Sequence, residues 1–369
     1  MGKKIGLFLT DIKSAFDRVD KRLLLAKLRR TGLGQQWIDF FSSYLDPRTA
    51  HIVLNGHSSS DFFITDMVFQ GTVMGPILWM IFFSDISVCT SLYGDSENIF
   101  ADDLSCFRAF DKVTSNNEIL TELGQTQDLI HTWGTLNRVD FDPSKEQFAV
   151  LHNQNDSKDH FKLLGYTFDT QLTMAPFICS LATRARNKTS AILRTRYVYT
   201  TAGLIQQFKS HVLGLLESFT SGIYHAISTE LLRIDQILLY FIHELDLTLE
   251  ECLLKYNLAP LSTRRDIAIL GLLHRIRHKR CHSNLSQLFR FAVSDEVLPR
   301  SARHPPLHVH QFYNRHPITH APTLYDRSLF GQLRIYNLLD PNLVQVNTIK
   351  PNWEYCLNSR FVHFALRVG

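Results

Sequence analysis

NIFADDLSCF, residues 98–107, reads as two short apolar strands folded back on each other around Asp102 and Asp103. An Asp-Asp pair at a bend is ordinary turn chemistry, because short carboxylates hydrogen-bond their own backbone. The amino end of the chain gives the pair more weight. IGLFLTDI (5–12) is an apolar run that ends in an acid, as a central strand does when it carries one carboxylate, Asp11, to a sheet edge. Asp11 at a strand end beside Asp102 and Asp103 on a hairpin bend makes a platform of hard oxygen ligands. Such ligands suit Mg²⁺, with Mn²⁺ as a substitute. Two such ions about 3.5–4 Å apart stabilise the attacking and leaving oxygens of a phosphoryl transfer.

The pattern outward from this pair alternates helices with antiparallel strands. Leu24, Leu25 and Leu28 share a helical face that closes at Gly32 and Gly34, and a second helix over 35–45 ends at Asp46-Pro47. Strand-like runs at 50–54 and 61–68 flank an Asn-Gly turn and predict a hairpin. QGTVMGP (70–76) leads into an apolar helix near 76–88. Ser115 and Glu118 have capping-box spacing before a helix carrying Ile119, Leu123, Ile130 and Trp133. Strands at 146–151 and 161–168 complete an α+β domain over residues 1–169. The opening strand has no upstream partner in the sequence, which predicts missing chain before it.

After residue 170 the period becomes helical, with Ile227, Leu231, Ile234, Leu238, Phe241 and Leu245 on one face. From Thr170 to Leu216 there is no Asp or Glu, while Arg184, Arg186, Lys188, Arg194, Arg196 and Lys209 accumulate. A second basic run, RRDIAILGLLHRIRHKR (264–280), contains Arg275 and Arg277. Both suit phosphate contacts that are independent of base sequence. A helical domain is expected over 170–285 and a partly irregular region over 286–369, Pro- and His-rich at 299–322.

The composition, 45% hydrophobic and 20% charged with a net charge of +4, is that of a globular protein and excludes a disordered tail. Six scattered cysteines without a Cys-x-x-Cys pair point to free thiols in a reducing compartment and support no zinc knuckle. His274 and His278 lie at i, i+4, but neighbouring Arg and Lys would repel a metal cation. No apolar run reaches the roughly 18 residues that span a bilayer. The expectation is a soluble, intracellular protein with no membrane partner, its compartment otherwise open.

Five strings now stand in order: LTDIKSAFDRVD (9–20), QGTVMGPILW (70–79), FADDLSCF (100–107), DPSKEQ (142–147) and LLGYTFD (163–169). Together they resemble the successive palm motifs of reverse transcriptases from non-LTR, LINE-like (jockey-type) retrotransposons. NLAPLSTRRDIAILGLLHR (257–275) resembles the segment that follows the palm in such elements. The resemblance implies an α+β polymerase palm, a helical thumb and a C-terminal tail, with the fingers missing upstream. It implies an RNA template, a DNA primer, dNTPs and two Mg²⁺ ions.

Carried onto this sequence, the resemblance makes Asp11 and Asp102 the principal metal ligands and Asp103 the supporting acid. It makes Phe16 a steric gate against the ribose 2′-hydroxyl, and Gln70 and Gly71 the loop beside the incoming nucleotide. Lys145 matches a lysine that protonates the pyrophosphate leaving group, and Leu164 with Gly165 matches the primer grip. Arg184, Arg186, Lys188, Arg194, Arg196, Arg275 and Arg277 are expected to hold nucleic acid. Three functions follow as expectations: an RNA-directed DNA polymerase fragment of low activity without fingers, a relic that only binds nucleic acid, and an RNA-dependent RNA polymerase, which Phe16 disfavours.

Overall fold

In chain order the elements of the first half are β1 (Lys3–Asp11), α1 (Lys21–Arg30), α2 (Gln35–Tyr44), β2 (Arg48–Ala50), β3 (Val53–Leu54), β4 (His57–Ser58), β5 (Phe62–Ile64), α3 (Gly75–Phe83), α4 (Ser87–Ser91), β6 (Ser96–Phe100), β7 (Asp103–Asp111), α5 (Asn116–Asn137), β8 (Gln147–Leu151), β9 (His160–Leu163) and β10 (Tyr166–Asp169). They are seen in a computed structural model that describes residues 3–64, 68–155, 159–291 and 327–339. The Pro- and His-rich segment 299–322 lies outside the described residues.

β1 is buried without interruption from Leu7 to Asp11, as a strand covered on both faces must be. It lies inside a four-stranded antiparallel sheet of order β6-β7-β1-β8. Both its neighbours therefore come from later in the chain, and the strand needs no upstream partner to be paired on each side.

The period-2 alternation of β1 assigns its side chains to two layers. Phe8 joins Leu104, Cys106, Phe110, Ile119, Leu123 and Ile130 under the helices. At Gly6 an added Cβ would stand 2.8 Å from both Ile119 and Phe110, so only glycine lets α5 pack this close to the strand. Leu7 and Leu9 point the other way, where they join Phe107, Ala149 and Phe161. By the same alternation Asp11 emerges on the Leu7–Leu9 face, away from the helical layer. Arg108 bridges Asp95 (2.7 and 3.0 Å) and Glu122 (2.9 Å), tying β7 to α5 and to the loop before β6.

Two differences from the sequence reading are local. The expected single helix near 76–88 is α3 and α4 joined by a 3-10 turn, Ser84–Ile86. The expected hairpin over 50–68 is two short ladders, β2–β5 and β3–β4, the inner one closed by Asn55-Gly56 with positive φ at both residues. That is the backbone that an Asn-Gly hairpin turn demands.

The chain divides into two compact units, Met1–Leu172 and Thr173–Gly369. The second is helical: α6 (Ala175–Leu193), α7 (Thr201–Phe208), α8 (Gly214–Ser218), α9 (Thr220–Ile223), α10 (Ser228–His243), α11 (Leu249–Tyr256), α12 (Leu261–Arg277), α13 (Ser283–Gln287) and α14 (Leu333–Asn337). A π-turn, Lys209–Leu213, joins α7 to α8. α10 packs along α6, and the Phe208 and Phe241 rings stack at 4.2 Å. Leu333, Tyr336 and Leu339 share a core with Ile269, Leu270 and Leu273 of α12, so part of the 286–369 region is built into this helical unit. Among the described residues no helix is long and apolar enough to cross a membrane.

Candidate active site

Phe100 pairs with Asp103, which leaves Ala101 and Asp102 as a two-residue turn between β6 and β7. The sequence reading put both acids at the bend. The structure makes Asp102 the turn residue and Asp103 the first residue of β7. Ala101 takes φ +57°, a left-handed conformation that costs an L-residue about 1–2 kcal/mol. Its carbonyl accepts a hydrogen bond from the buried Trp79 indole at 2.8 Å, which anchors the strained turn to α3.

The antiparallel register places Asp11 directly opposite Asp103. Residues opposed in this way project from the same face with Cβ atoms about 4.5–5.5 Å apart. Lys145 completes the group. Its backbone N–H closes a turn onto the Asp142 carbonyl (3.0 Å), and Asp142 N–H donates to the Asp11 carbonyl (3.0 Å). The Asp142 carboxylate accepts from the Ser144 N–H (3.0 Å) and hydroxyl (2.7 Å), which stiffens the turn and holds that carboxyl below its usual range. The Lys145 ammonium pairs with the Asp11 carboxylate.

Charge is unevenly balanced here, with three carboxylates against one ammonium. Burial, then repulsion from Asp11 and Asp102, raises the Asp103 pKa, and Lys145 opposes the rise. The hydrogen bond and charge of Asp11 raise the Lys145 pKa in turn. The donor set is all carboxylate oxygen, which fits a hard divalent cation rather than a soft one. Among the described residues, however, no three His, Cys, Asp or Glu side chains stand close enough together to hold an ion. Lys145 occupies the Asp11 carboxylate instead.

Phe16 follows on a short 3-10 turn, Ala15–Arg18, entered through Ser14 at φ +55°. Its ring stacks on Trp79 (5.9 Å between centroids), and its carbonyl accepts from Val68 N–H at 2.9 Å. Gln70 is exposed and donates to Asp17 at 3.3 Å, and Gly71 turns the chain with φ +78°. Phe16, Gln70 and Gly71 thus neighbour one another, and Trp79 links this group to the Asp102 turn. Trp79 was missed in the sequence although it ends a quoted motif, because a tryptophan in an apolar helix reads as core. Asp85 is a packing residue, held by Lys27 (2.8 Å) and the Trp133 indole (2.9 Å).

Leu164 and Gly165 form the two-residue turn of the β9–β10 hairpin, with φ +49° and +82°. Gln147 ties this hairpin to the sheet: its side-chain oxygen accepts from Lys162 N–H (2.8 Å), and its amide lies 3.4 Å from the Lys162 carbonyl and 3.3 Å from that of Lys145. Beside it, the half-buried Glu146 accepts from Gln127 (2.6 Å) and Thr10 (3.3 Å) and meets His131 at 2.6 Å.

In the helical unit Arg184, Arg186, Lys188 and Arg194 are exposed. At 100° per residue Arg184 and Lys188 flank one side of the buried stripe of α6 and Arg186 the other. Arg196 pairs with Glu244 at 3.4 Å. Arg275 is exposed, and the Arg277 guanidinium lies 4.4 Å over the Phe291 ring. Arg264 and Arg265 are committed to Glu217 (2.5 Å) and Asp235 (2.7 and 2.9 Å). His274 is buried with Nδ1 3.1 Å from the Tyr336 hydroxyl.

Residues 1–168 match the family model described as reverse transcriptase (RNA-dependent DNA polymerase). The RNA-directed DNA polymerase from mobile element jockey of Drosophila melanogaster is 30% identical over 205 residues, which is 50% of this chain and 22% of that protein. Its counterpart from Drosophila funebris is 28% identical over 194 residues, 48% of this chain and 21% of that protein. The chain spans about a fifth of the length of these curated relatives. Among solved structures, apo telomerase from Candida tropicalis aligns with a TM-score of 0.37 and 13% identity over 66% of this chain and 47% of that one. Reverse transcriptases as a family use divalent metal ions. Residues 1–168 of this chain are thus similar to the reverse transcriptase family, and the curated relatives they resemble are polymerases of mobile elements.

Proposed function

We propose that residues 1–172 carry the catalytic centre of an RNA-directed DNA polymerase, which adds dNTPs to a DNA primer along an RNA template. The observation that supports this most is the register pairing of Asp11 with Asp103, with Asp102 in the adjoining turn. In this reading Asp11 and Asp102 would hold two Mg²⁺ ions, with Asp103 supporting them. The ions would supply Lewis-acid stabilisation to the attacking and leaving oxygens. Lys145 neutralises Asp11 in the absence of substrate. Its raised pKa keeps it protonated, as a group that donates to a leaving pyrophosphate must be. Phe16 closes the space beneath the sugar, Gln70 and Gly71 line the nucleotide's side, and Leu164 and Gly165 support the primer end. Nucleic acid lies along Arg184, Lys188, Arg194 and Arg275, with Arg196 and Arg277 as further contacts, while Arg186 on the opposite flank of α6 stands off a duplex laid there.

The Lys145–Asp11 pair also favours a second reading, in which the chain binds nucleic acid without polymerising. Primer extension on an RNA template with Mg²⁺ and dNTPs, beside Mg²⁺ or Mn²⁺ titration of the same preparation, separates the two. Asp102→Ala should lower extension by about a thousandfold, the several kcal/mol that a Lewis-acid ion supplies. It should also weaken metal binding. Nucleic-acid binding with no extension and no metal dependence on Asp102 would establish the second reading.

A further inference from the structure

The connection between α6 and α7 has the sequence RTRYVYT, residues 194–200. Tyr197 is 86% exposed, Val198 81% and Tyr199 49%, and Arg194 and Arg196 are exposed among them. Large side chains left in water at a loop tip ordinarily come with a mobile backbone, but this one is held. Arg194 N–H donates to Ser190, Thr195 to Ile192, Arg196 to Leu193, and Val198 and Tyr199 both donate to Thr195, at 2.9–3.2 Å. The Thr195 hydroxyl adds a bond to the Ile192 carbonyl (2.7 Å), and Thr200 caps α7 by accepting from Gly203 N–H (3.2 Å). The backbone is therefore set before any partner arrives, so little ordering entropy remains to be lost on binding.

Charge and aromatic surface coincide at this turn. The Arg196 guanidinium lies 5.1 Å from the Tyr197 ring centroid and donates to its hydroxyl at 3.1 Å. It also reaches Glu244, just past the end of α10, at 3.4 Å. A cation on one side fixes the ring's orientation and leaves its other face to water. The turn's own stretch of chain is basic, since Thr170–Leu216 contains no acid. A rigid, exposed aromatic in a basic setting is complementary to a base with its phosphate. Duplex DNA or RNA keeps its base faces stacked inside, whereas an unpaired strand offers them.

We infer that the Arg194–Tyr199 turn is a stacking platform for unpaired RNA, with Tyr197 holding a base and Arg194 its phosphate. The inference rests on the reading that the chain handles an RNA template, and it adds to the basic surface a single-strand site that shares Arg194 with it and that Tyr197 makes specific for unpaired bases. It needs no catalysis, so it can fail while polymerisation stands, and stand while polymerisation fails.

The test is fluorescence anisotropy of the full chain with a labelled oligo(U) RNA, a DNA oligomer of equal length and a blunt RNA–DNA duplex, each across a salt series. Tyr197→Ala should weaken oligo(U) binding by roughly five- to a hundredfold, the range for losing one base–aromatic stack. It should leave the salt slope unchanged and duplex binding intact. Tyr197→Trp should restore affinity. Arg194→Ala should instead lower the single-strand salt slope by about 0.7, the share of one phosphate contact. Both side chains are exposed, so the variants should melt as the parent does. Equal loss on the duplex and the single strand, loss confined to the DNA oligomer, or no loss with Tyr197→Ala would each overturn the assignment.

Discussion

Asp103 carries the cost of the site. Burial and the charges of Asp11 and Asp102 push its pKa up from the ordinary carboxyl value, with Lys145 only partly offsetting them. For such a group the folded state binds the proton more tightly than the unfolded chain does. Its contribution is fully present below the unfolded pKa and is lost as pH rises through the folded one. At neutral pH an ionised Asp103 therefore destabilises the unit that holds it. Asp103→Asn should raise the thermal midpoint at pH 7 and lose that advantage towards pH 3.5. Melting in the presence of Mg²⁺ supplies the complementary observation. If the proposed reading holds and a cation gathers the three acids, it would stabilise the parent by linkage, and the variant should gain less from it. A variant less stable than the parent at pH 7 would show that Asp103 is satisfied by its neighbours and carries no strain.

At the scale of the element, the β9–β10 hairpin spends stability on its turn. A two-residue turn with positive φ at both positions favours Asn-Gly, yet here its first residue is Leu164. A leucine in the left-handed region costs about 1–2 kcal/mol, and strain of this kind persists where a side chain has another use. The Leu164 side chain is 47% exposed and touches the solvent rather than a core. Leu164→Asn should stabilise the chain by about 0.5–1 kcal/mol in denaturant melts. It should also reduce extension from a primer terminus if that exposed side chain supports the primer. Stabilisation with unchanged extension would remove Leu164 from the primer contact and leave only the hairpin.

The same turn shows where sequence reading reaches its limit. Asn55-Gly56 and the Ser115–Glu118 capping box were legible because each is a local motif whose residues satisfy their own backbone. Leu164 gives no local signal for a left-handed turn, and only the resemblance to known motifs drew attention to it. That Asp11 would meet the Asp102–Asp103 bend was expected, but its exact register opposite Asp103 was not legible, since it is set by packing between strands far apart in sequence. The apolar run IGLFLTDI did foretell that Asp11 would sit at a strand end. The second capping box, Thr248 with Glu251, carried the same local signature as the first and was overlooked.

Across the whole chain, basic residues are easier to count than to assign. The run at 264–280 promised a continuous cationic face, but Arg264 and Arg265 are taken up by Glu217 and Asp235 on neighbouring helices. Helical phase divides the other cluster, with Arg184 and Lys188 on one flank of α6 and Arg186 on the opposite one. A duplex laid against one flank would therefore meet the first pair and miss the third. Each phosphate contact on duplex nucleic acid contributes about 0.9 to the slope of log affinity against log salt. Joint reversal, Arg184→Glu with Lys188→Glu, should reduce that slope by about 2 and weaken all duplex sequences alike. Arg186→Glu should leave the slope within about 0.3 of the parent, because a charge off the contact flank releases no condensed counterion. Base-sequence dependence in the losses would indicate groove reading rather than phosphate contact. An equal drop for Arg186→Glu would mean that nucleic acid wraps both flanks of the helix, a geometry that a straight duplex on one face does not permit.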